Sequence, residues 1–203
     1  MSIQIKDSNN KIIAVKTRQF SGGERHVQFE ADELTQRQGQ VYIQAKIKNS
    51  QDLMDYLLIE NVLMNQGLTI NLEIPYFPYA RQDRVCATGQ AFSLDIMTKL
   101  LNINTEQFPK QRHSIKVWDV HSVVSEKLLG ENTLFNKVIN VQPSEIILKS
   151  QALTDILTAQ DTVLICPDAG AKQRTQGIAD VINAHRASNI EIVYCEKNRD
   201  PVT

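Results

Sequence analysis

The chain has 203 residues, enough for one large domain or two small ones with real apolar cores. Twenty-two basic residues face 23 acidic ones, a formal net charge of −1, which excludes a global attraction to nucleic acid or to an anionic membrane, so any anion site must be local. Apolar residues at 42% are ordinary for a globular fold, no apolar run approaches bilayer length, and the opening MSIQIKDSNNK lacks an apolar signal core. The expected compartment is therefore cytoplasmic, with neither nucleic acid nor membrane as a partner.

The first forty-odd residues have a β pattern. Ile3 and Ile5 alternate with polar residues, the turn-prone Ser8-Asn9-Asn10 precedes an apolar-rich stretch from Lys11 to Lys16, and Val41, Ile43 and Ala45 alternate again. The period then changes: Leu53, Met54, Leu57, Leu58, Val62 and Met64 predict a helix over 51–66, with Ser50 at the N-cap and Gly67 just past the end. Leu68 to Ile74 returns to a strand pattern, closed by Pro75. Further helices are predicted at about 91–102, 122–129, 144–157 and 172–184, and strands at Ile115–Trp118, Val163–Cys166 and Ile190–Tyr194. The unbroken apolar run Val163-Leu164-Ile165-Cys166 is typical of a strand covered on both faces. Strand–helix alternation argues for an α/β fold with parallel sheets. Gln142-Pro143 is the candidate boundary, giving domains 1–142 and 143–203.

In open α/β sheets ligands bind beyond the carboxyl ends of strands, and polar clusters sit at four such ends. After Ile74 comes Pro75-Tyr76-Phe77-Pro78-Tyr79-Ala80-Arg81-Gln82-Asp83-Arg84. Its two guanidinium groups suit phosphate oxygens, because they stay charged and donate paired hydrogen bonds; a solvated loop with an Arg–Asp ion pair explains the same residues equally well. After Trp118 comes Asp119-Val120-His121-Ser122, where a lone His more often caps or packs than ligates. After Cys166 comes Pro167-Asp168-Ala169-Gly170, where Asp168 reads first as a helix cap. His121 and Asp168 together could supply a nitrogen and an oxygen to a divalent cation. The last cluster is Glu196-Lys197-Asn198-Arg199-Asp200-Pro201. In an extended segment Lys197 and Arg199 share a face and can meet one phosphate; a basic strand end turned to water is the plainer reading of it alone.

Taken together these clusters resemble the ribose-phosphate pyrophosphokinase (PRPP synthetase) family. PYFPYARQDR is similar almost letter for letter to the family's ATP-binding segment, DVHS to its Asp-x-His signature, CPDAG to its Pro-Asp-Gly-type turn and EKNRDP to its mobile catalytic segment. Phe20-Ser21-Gly22-Gly23-Glu24 resembles its Phe-Ser-Asp-Gly-Glu loop. The order holds from residue 20 to residue 203. The resemblance implies two phosphoribosyltransferase-type α/β domains with mainly parallel sheets, the second incomplete in this chain, assembled into homo-oligomers, often hexamers. It implies Mg²⁺ as cofactor and transfer of pyrophosphate from ATP to the 1-hydroxyl of ribose 5-phosphate. Arg81, Gln82, Asp83, Arg84 and His121 would hold ATP from one subunit and Phe20 and Glu24 from a neighbour. His121 and Asp168 would attend Mg²⁺, and Lys197 and Arg199 would stabilise the transferring group as catalytic residues.

Three departures accompany the resemblance. Gly22 stands where the family usually has Asp, which is expected to alter base selectivity or weaken ATP binding. After Arg84 the sequence Val85-Cys86-Ala87-Thr88-Gly89-Gln90 lacks the usual basic residue. No Asp-Asp-x-x-x-Thr-Gly loop, on which the family's ribose 5-phosphate site depends, occurs in these residues, so turnover by this chain as it stands is not expected. A phosphoribosyltransferase would need that same loop and leaves ARQDR unexplained. A non-catalytic relative that binds nucleotide or scaffolds an oligomer is the competing expectation.

Overall fold

Val41, Ile43 and Ala45 fall on one face of a strand, as do Ile70, Leu72 and Ile74 of a second and Ile115 and Val117 of a third, because successive side chains in a strand alternate sides. All eight are buried, and they form the floor of the main core. The computed structural model describes residues 2–34, 38–104, 113–131 and 134–196. The chain divides into two units, Met1–Asn140 and Val141–Thr203.

The first unit runs β1 (Ile3–Asp7), β2 (Val15–Gln19), β3 (Arg25–Phe29), α1 (Ala31–Leu34), β4 (Gln40–Ala45), α2 (Ser50–Asn65), β5 (Thr69–Ile74), α3 (Ser93–Leu100), β6 (His113–Trp118), α4 (Val123–Gly130) and β7 (Phe135–Val141). A five-stranded sheet has the order β1-β4-β5-β6-β7. β4, β5 and β6 are mutually parallel, as the alternation of strands and helices predicts. β1 is antiparallel to β4, and the chain reaches β4 by way of β2, β3 and one short helical turn, without the long crossover helix that joins parallel neighbours. β2 and β3 form a separate antiparallel hairpin.

α2 lays Tyr56, Leu57, Ile59, Leu63 and Met64 against the core, joined by Leu94, Met97 and Leu101 from α3 and its end and by Leu129 of α4. Its N-cap is Asn49 rather than Ser50: the Asn49 side chain accepts the Asp52 N–H at 2.9 Å, one residue earlier than the sequence suggests. Gly67, with φ +74°, takes the left-handed position after the last turn as expected.

The other face of the parallel strands is polar. Gln44 and Trp118 both donate to Glu73, Asn71 donates to Gln40, and Ser114 donates to Asn71. Parallel sheets are usually covered on both faces. Here each strand keeps the strict alternation of a half-exposed one, and this cross-strand ladder of side chains satisfies the open face.

In the second unit, α5 (Pro143–Ile146), a 3₁₀ turn (Ile147–Lys149) and α6 (Gln151–Thr158) replace the single helix predicted over 144–157. β8 (Val163–Cys166) and β9 (Glu191–Tyr194) pair in parallel, with a 3₁₀ turn (Ala169–Ala171) and α7 (Lys172–Asn183) between them. Ala179, Ile182 and Ile190 form a small core with Leu164 and Ile192 packed on it. Among the described residues β8 is covered on one face only: Val163 and Ile165 are 46% and 64% exposed, contrary to the doubly covered strand its sequence suggests.

Candidate active site

β5 and β6 are adjacent and parallel, with Ile74 opposite Val117, so the segments that leave their carboxyl ends start side by side. The first carries Arg81, Gln82, Asp83 and Arg84 and the second carries His121. Each segment is pinned by buried apolar residues while its polar residues face outward. Phe77 and Ala80 are buried, the Gln82 N–H donates to the Tyr79 carbonyl at 2.8 Å, and Arg81, Gln82 and Arg84 are exposed, with Asp83 half-buried. Val120 is likewise buried, its N–H donating to Asn140 Oδ1, and the neighbouring His121 is exposed. Tyr79 (φ +60°) and Asp119 (φ +44°) hold left-handed backbone, one in each segment. Such conformations cost free energy for a residue with a Cβ and persist where surrounding packing imposes them.

The hairpin positions Phe20 and Glu24 at its tip. The Phe20 N–H donates to the Glu24 carbonyl and the Gly23 N–H to the Phe20 carbonyl, closing the turn. The half-exposed Phe20 ring lies under the Arg18 guanidinium at 4.7 Å and beside His26 at 5.5 Å. A Cβ at Gly22 would fall 2.5 Å from Glu24 Oε2, so the Glu24 carboxylate occupies the space a side chain at position 22 would need. The hairpin is fastened to α2 by a two-pronged ion pair, Arg25 Nε to Asp55 Oδ1 at 2.8 Å and Nη2 to Oδ2 at 2.5 Å, and by Gln51 donating to Gln19. Asp55→Ala is therefore expected to raise amide hydrogen exchange over residues 15–29 while α2 keeps its protection; unchanged exchange in the hairpin would show that the pair does not hold it.

Asp168 belongs to the second unit, half-buried at the end of β8. Its Oδ1 accepts the Ala171 N–H at 3.1 Å, so the capping role anticipated for it is present. Lys197 and Arg199 lie outside the described residues. No group of three or more His, Cys, Asp or Glu among the described residues is arranged to hold a metal. His121 belongs to the first unit and Asp168 to the second.

A cavity of about 680 Å³ that motif reading missed lies at the carboxyl ends of β4 and β5. Lys46, Lys48, Asn49 and Ser50 line it together with Leu53, Pro75, Tyr76, Pro78, Tyr79, Gln82 and Met97. The available signal was Lys-Ile-Lys straight after an alternating strand, the same i, i+2 logic that marks Lys197 and Arg199.

The N-terminal domain of ribose phosphate pyrophosphokinase is the family whose model matches residues 4–104. The ribose-phosphate pyrophosphokinase of Thermococcus kodakarensis is 26% identical over 199 residues, covering 97% of this chain. This chain belongs to the ribose-phosphate pyrophosphokinase family. The family's enzyme from Methanothermobacter thermautotrophicus is 28% identical over 189 residues and matches 91% of the chain. The chain spans 61% of the first of these two relatives and 57% of the second. The crystal structure of phosphoribosylpyrophosphate synthetase from Mycobacterium smegmatis superposes with a TM-score of 0.69 over 95% of the chain and 58% of that structure, at 21% identity, and shares the fold. Among the described residues no helix is long and apolar enough to cross a membrane.

Proposed function

We propose that this chain is the nucleotide-binding portion of a ribose-phosphate pyrophosphokinase, which transfers pyrophosphate from ATP to the 1-hydroxyl of ribose 5-phosphate in a homo-oligomer. The observation that carries the reading is the pair of segments leaving the adjacent strands β5 and β6, one presenting Arg81 and Arg84 and the other His121. In phosphoryl transfer the protein's main tools are positioning and fixed positive charge. Arg81 and Arg84 grip phosphate oxygens, Gln82 and Asp83 orient the nucleoside, and Phe20 and Glu24 of a neighbouring copy cover the base. Mg²⁺, when bound, neutralises phosphate charge, with His121 and Asp168 as the protein groups that attend it. Lys197 and Arg199 stabilise charge that develops on the transferring group, a role typically worth about 3 kcal/mol per donor.

Release of AMP by a version extended to the relatives' length, dependent on both ribose 5-phosphate and Mg²⁺, tests this reading directly, beside ATP binding by the chain itself. ATP binding without AMP release, in the chain and in a version extended to the relatives' length, would establish instead a nucleotide-binding or scaffolding relative. Gly22 in place of Asp favours that second outcome.

A further inference from the structure

The cavity at the ends of β4 and β5 has two cations that the family motifs do not account for. β4 ends at Ala45, and the segment beyond it continues in alternation, with Ile47 buried in the core and Lys46 and Lys48 exposed on either side of it. Two residues apart in extended chain, the two lysines project to the same side, and both line the cavity. The acidic group beside them is Asp52, whose carboxylate is engaged by the Lys48 backbone N–H at 2.9 Å. Neither lysine forms a salt bridge among the described residues; the Lys48 ammonium lies near enough to the Asp52 carboxylate for their charges to interact, so an incoming anion meets Lys46 with no such acidic neighbour and Lys48 beside one. The opposite wall is aromatic and aliphatic: Tyr76 and Tyr79, 67% and 49% exposed, with Pro75, Pro78 and Met97. Large aromatic residues left this exposed beside a hollow suit stacking with a flat ring. Gln82 lines the same cavity and lies between Arg81 and Arg84 in the chain, so the hollow borders the arginine turn.

We propose that this cavity is part of the nucleotide site: Lys46 and Lys48 bind phosphoryl oxygens of a nucleoside triphosphate, whose ring packs against Tyr76 and Tyr79. The proposal rests on the nucleotide-binding reading above and adds Lys46 and Lys48 to Arg81 and Arg84 as phosphate contacts. Lysine suits the place because its ammonium is a compact charge that needs no paired geometry.

The experiment is calorimetric titration of the whole chain with Mg·ATP, inorganic tripolyphosphate and adenosine, for the wild type, Lys46→Ala/Lys48→Ala and Arg81→Ala/Arg84→Ala. Both lysines are exposed, and circular dichroism checks that the variants fold. The lysine double variant is expected to lose about 10-fold or more in affinity for ATP and tripolyphosphate and to bind adenosine as the wild type does, with Lys46→Arg/Lys48→Arg recovering most of the loss. Wild-type ATP affinity in the lysine variant, alongside a loss in the arginine variant, overturns the subsite and leaves the nucleotide reading standing. Tripolyphosphate binding that depends on the lysines, with no preference for ATP, keeps the anion site and overturns the nucleotide reading. Binding of none of the three ligands overturns both.

Discussion

Arg81→Ala combined with Arg84→Ala is expected to weaken Mg·ATP binding by about 100-fold or more while leaving the fold intact. A hydrogen bond to a charged group is worth about 1.5–3 kcal/mol when its partner is lost, and each arginine offers more than one. Both side chains are exposed, and the turn that carries them is held by Phe77, Ala80 and the Tyr79–Gln82 hydrogen bond, none of which the substitutions touch. Surface changes of this kind typically alter stability by no more than about 0.5 kcal/mol, so thermal melting should barely move. Arg→Lys at both positions should recover part of the affinity only, because the ammonium cannot donate the paired bonds of a guanidinium. ATP affinity unchanged in the alanine double variant would remove the turn from the site.

The second large effect is on stability against pH, where two buried groups oppose one another. Glu60 lies inside α2, accepting from Tyr56 Oη at 2.5 Å and from Asn104 Nδ2 at 2.8 Å, and burial pushes its carboxyl from 4.5 up to about 7 despite those two donors. His113 opens β6, its Nδ1 accepting the Ile70 N–H at 2.7 Å, and burial pushes the imidazole from 6.5 down to about 4. Because Nδ1 holds the lone pair that accepts, the ring proton sits on Nε2, which has no partner among the described residues. For Glu60 the folded state keeps a proton that the unfolded chain has released, so its contribution is full below pH 4.5 and is lost as pH rises to about 7. For His113 the unfolded chain takes up a proton that the folded state refuses, so its contribution is full above pH 6.5 and is lost as pH falls to about 4.

Each of these gaps corresponds to about 3 kcal/mol by linkage. Between about pH 4.5 and 6.5 the two slopes cancel, and the wild-type contribution from this pair should be nearly flat. Glu60→Gln removes one titration and should expose a loss of stability as pH falls. His113→Asn, which keeps an acceptor near the place of Nδ1, should expose a loss as pH rises. Urea midpoints measured from about pH 4.5 to 8 read both effects directly. Three parallel curves would show that neither group's pKa changes on folding.

Much of the helix and strand pattern could be read from the residues. α2 is recognisable from apolar spacing and Gly67, β5 from its alternation and Pro75, and the α/β class from the order of elements. β7 escaped notice because Phe135-Asn136-Lys137-Val138-Ile139-Asn140-Val141 does not alternate cleanly. Its place at the sheet edge comes from pairing with β6 and not from a local signal. The break of the predicted 144–157 helix near Ser150 was likewise hidden, since helical spacing continues across it. Arg81, Arg84 and His121 were legible as residue types after strand ends, but that the segments carrying them leave side by side depends on β5 and β6 being neighbours, which no local pattern specifies.

The sequence by itself determined which residues alternate, which spacing is helical and which loops carry paired arginines or a histidine after a strand, because those properties depend on covalent neighbours and their conformational preferences. Only the tertiary structure decided that β1 runs antiparallel to β4, that one face of the central sheet is a polar ladder, that Lys46 and Lys48 share a cavity with Tyr76 and Tyr79, and that Glu60 and His113 are buried. Those outcomes depend on contacts between residues far apart in the chain, where the free energy of burial and of satisfying each polar group is settled by the whole packed arrangement.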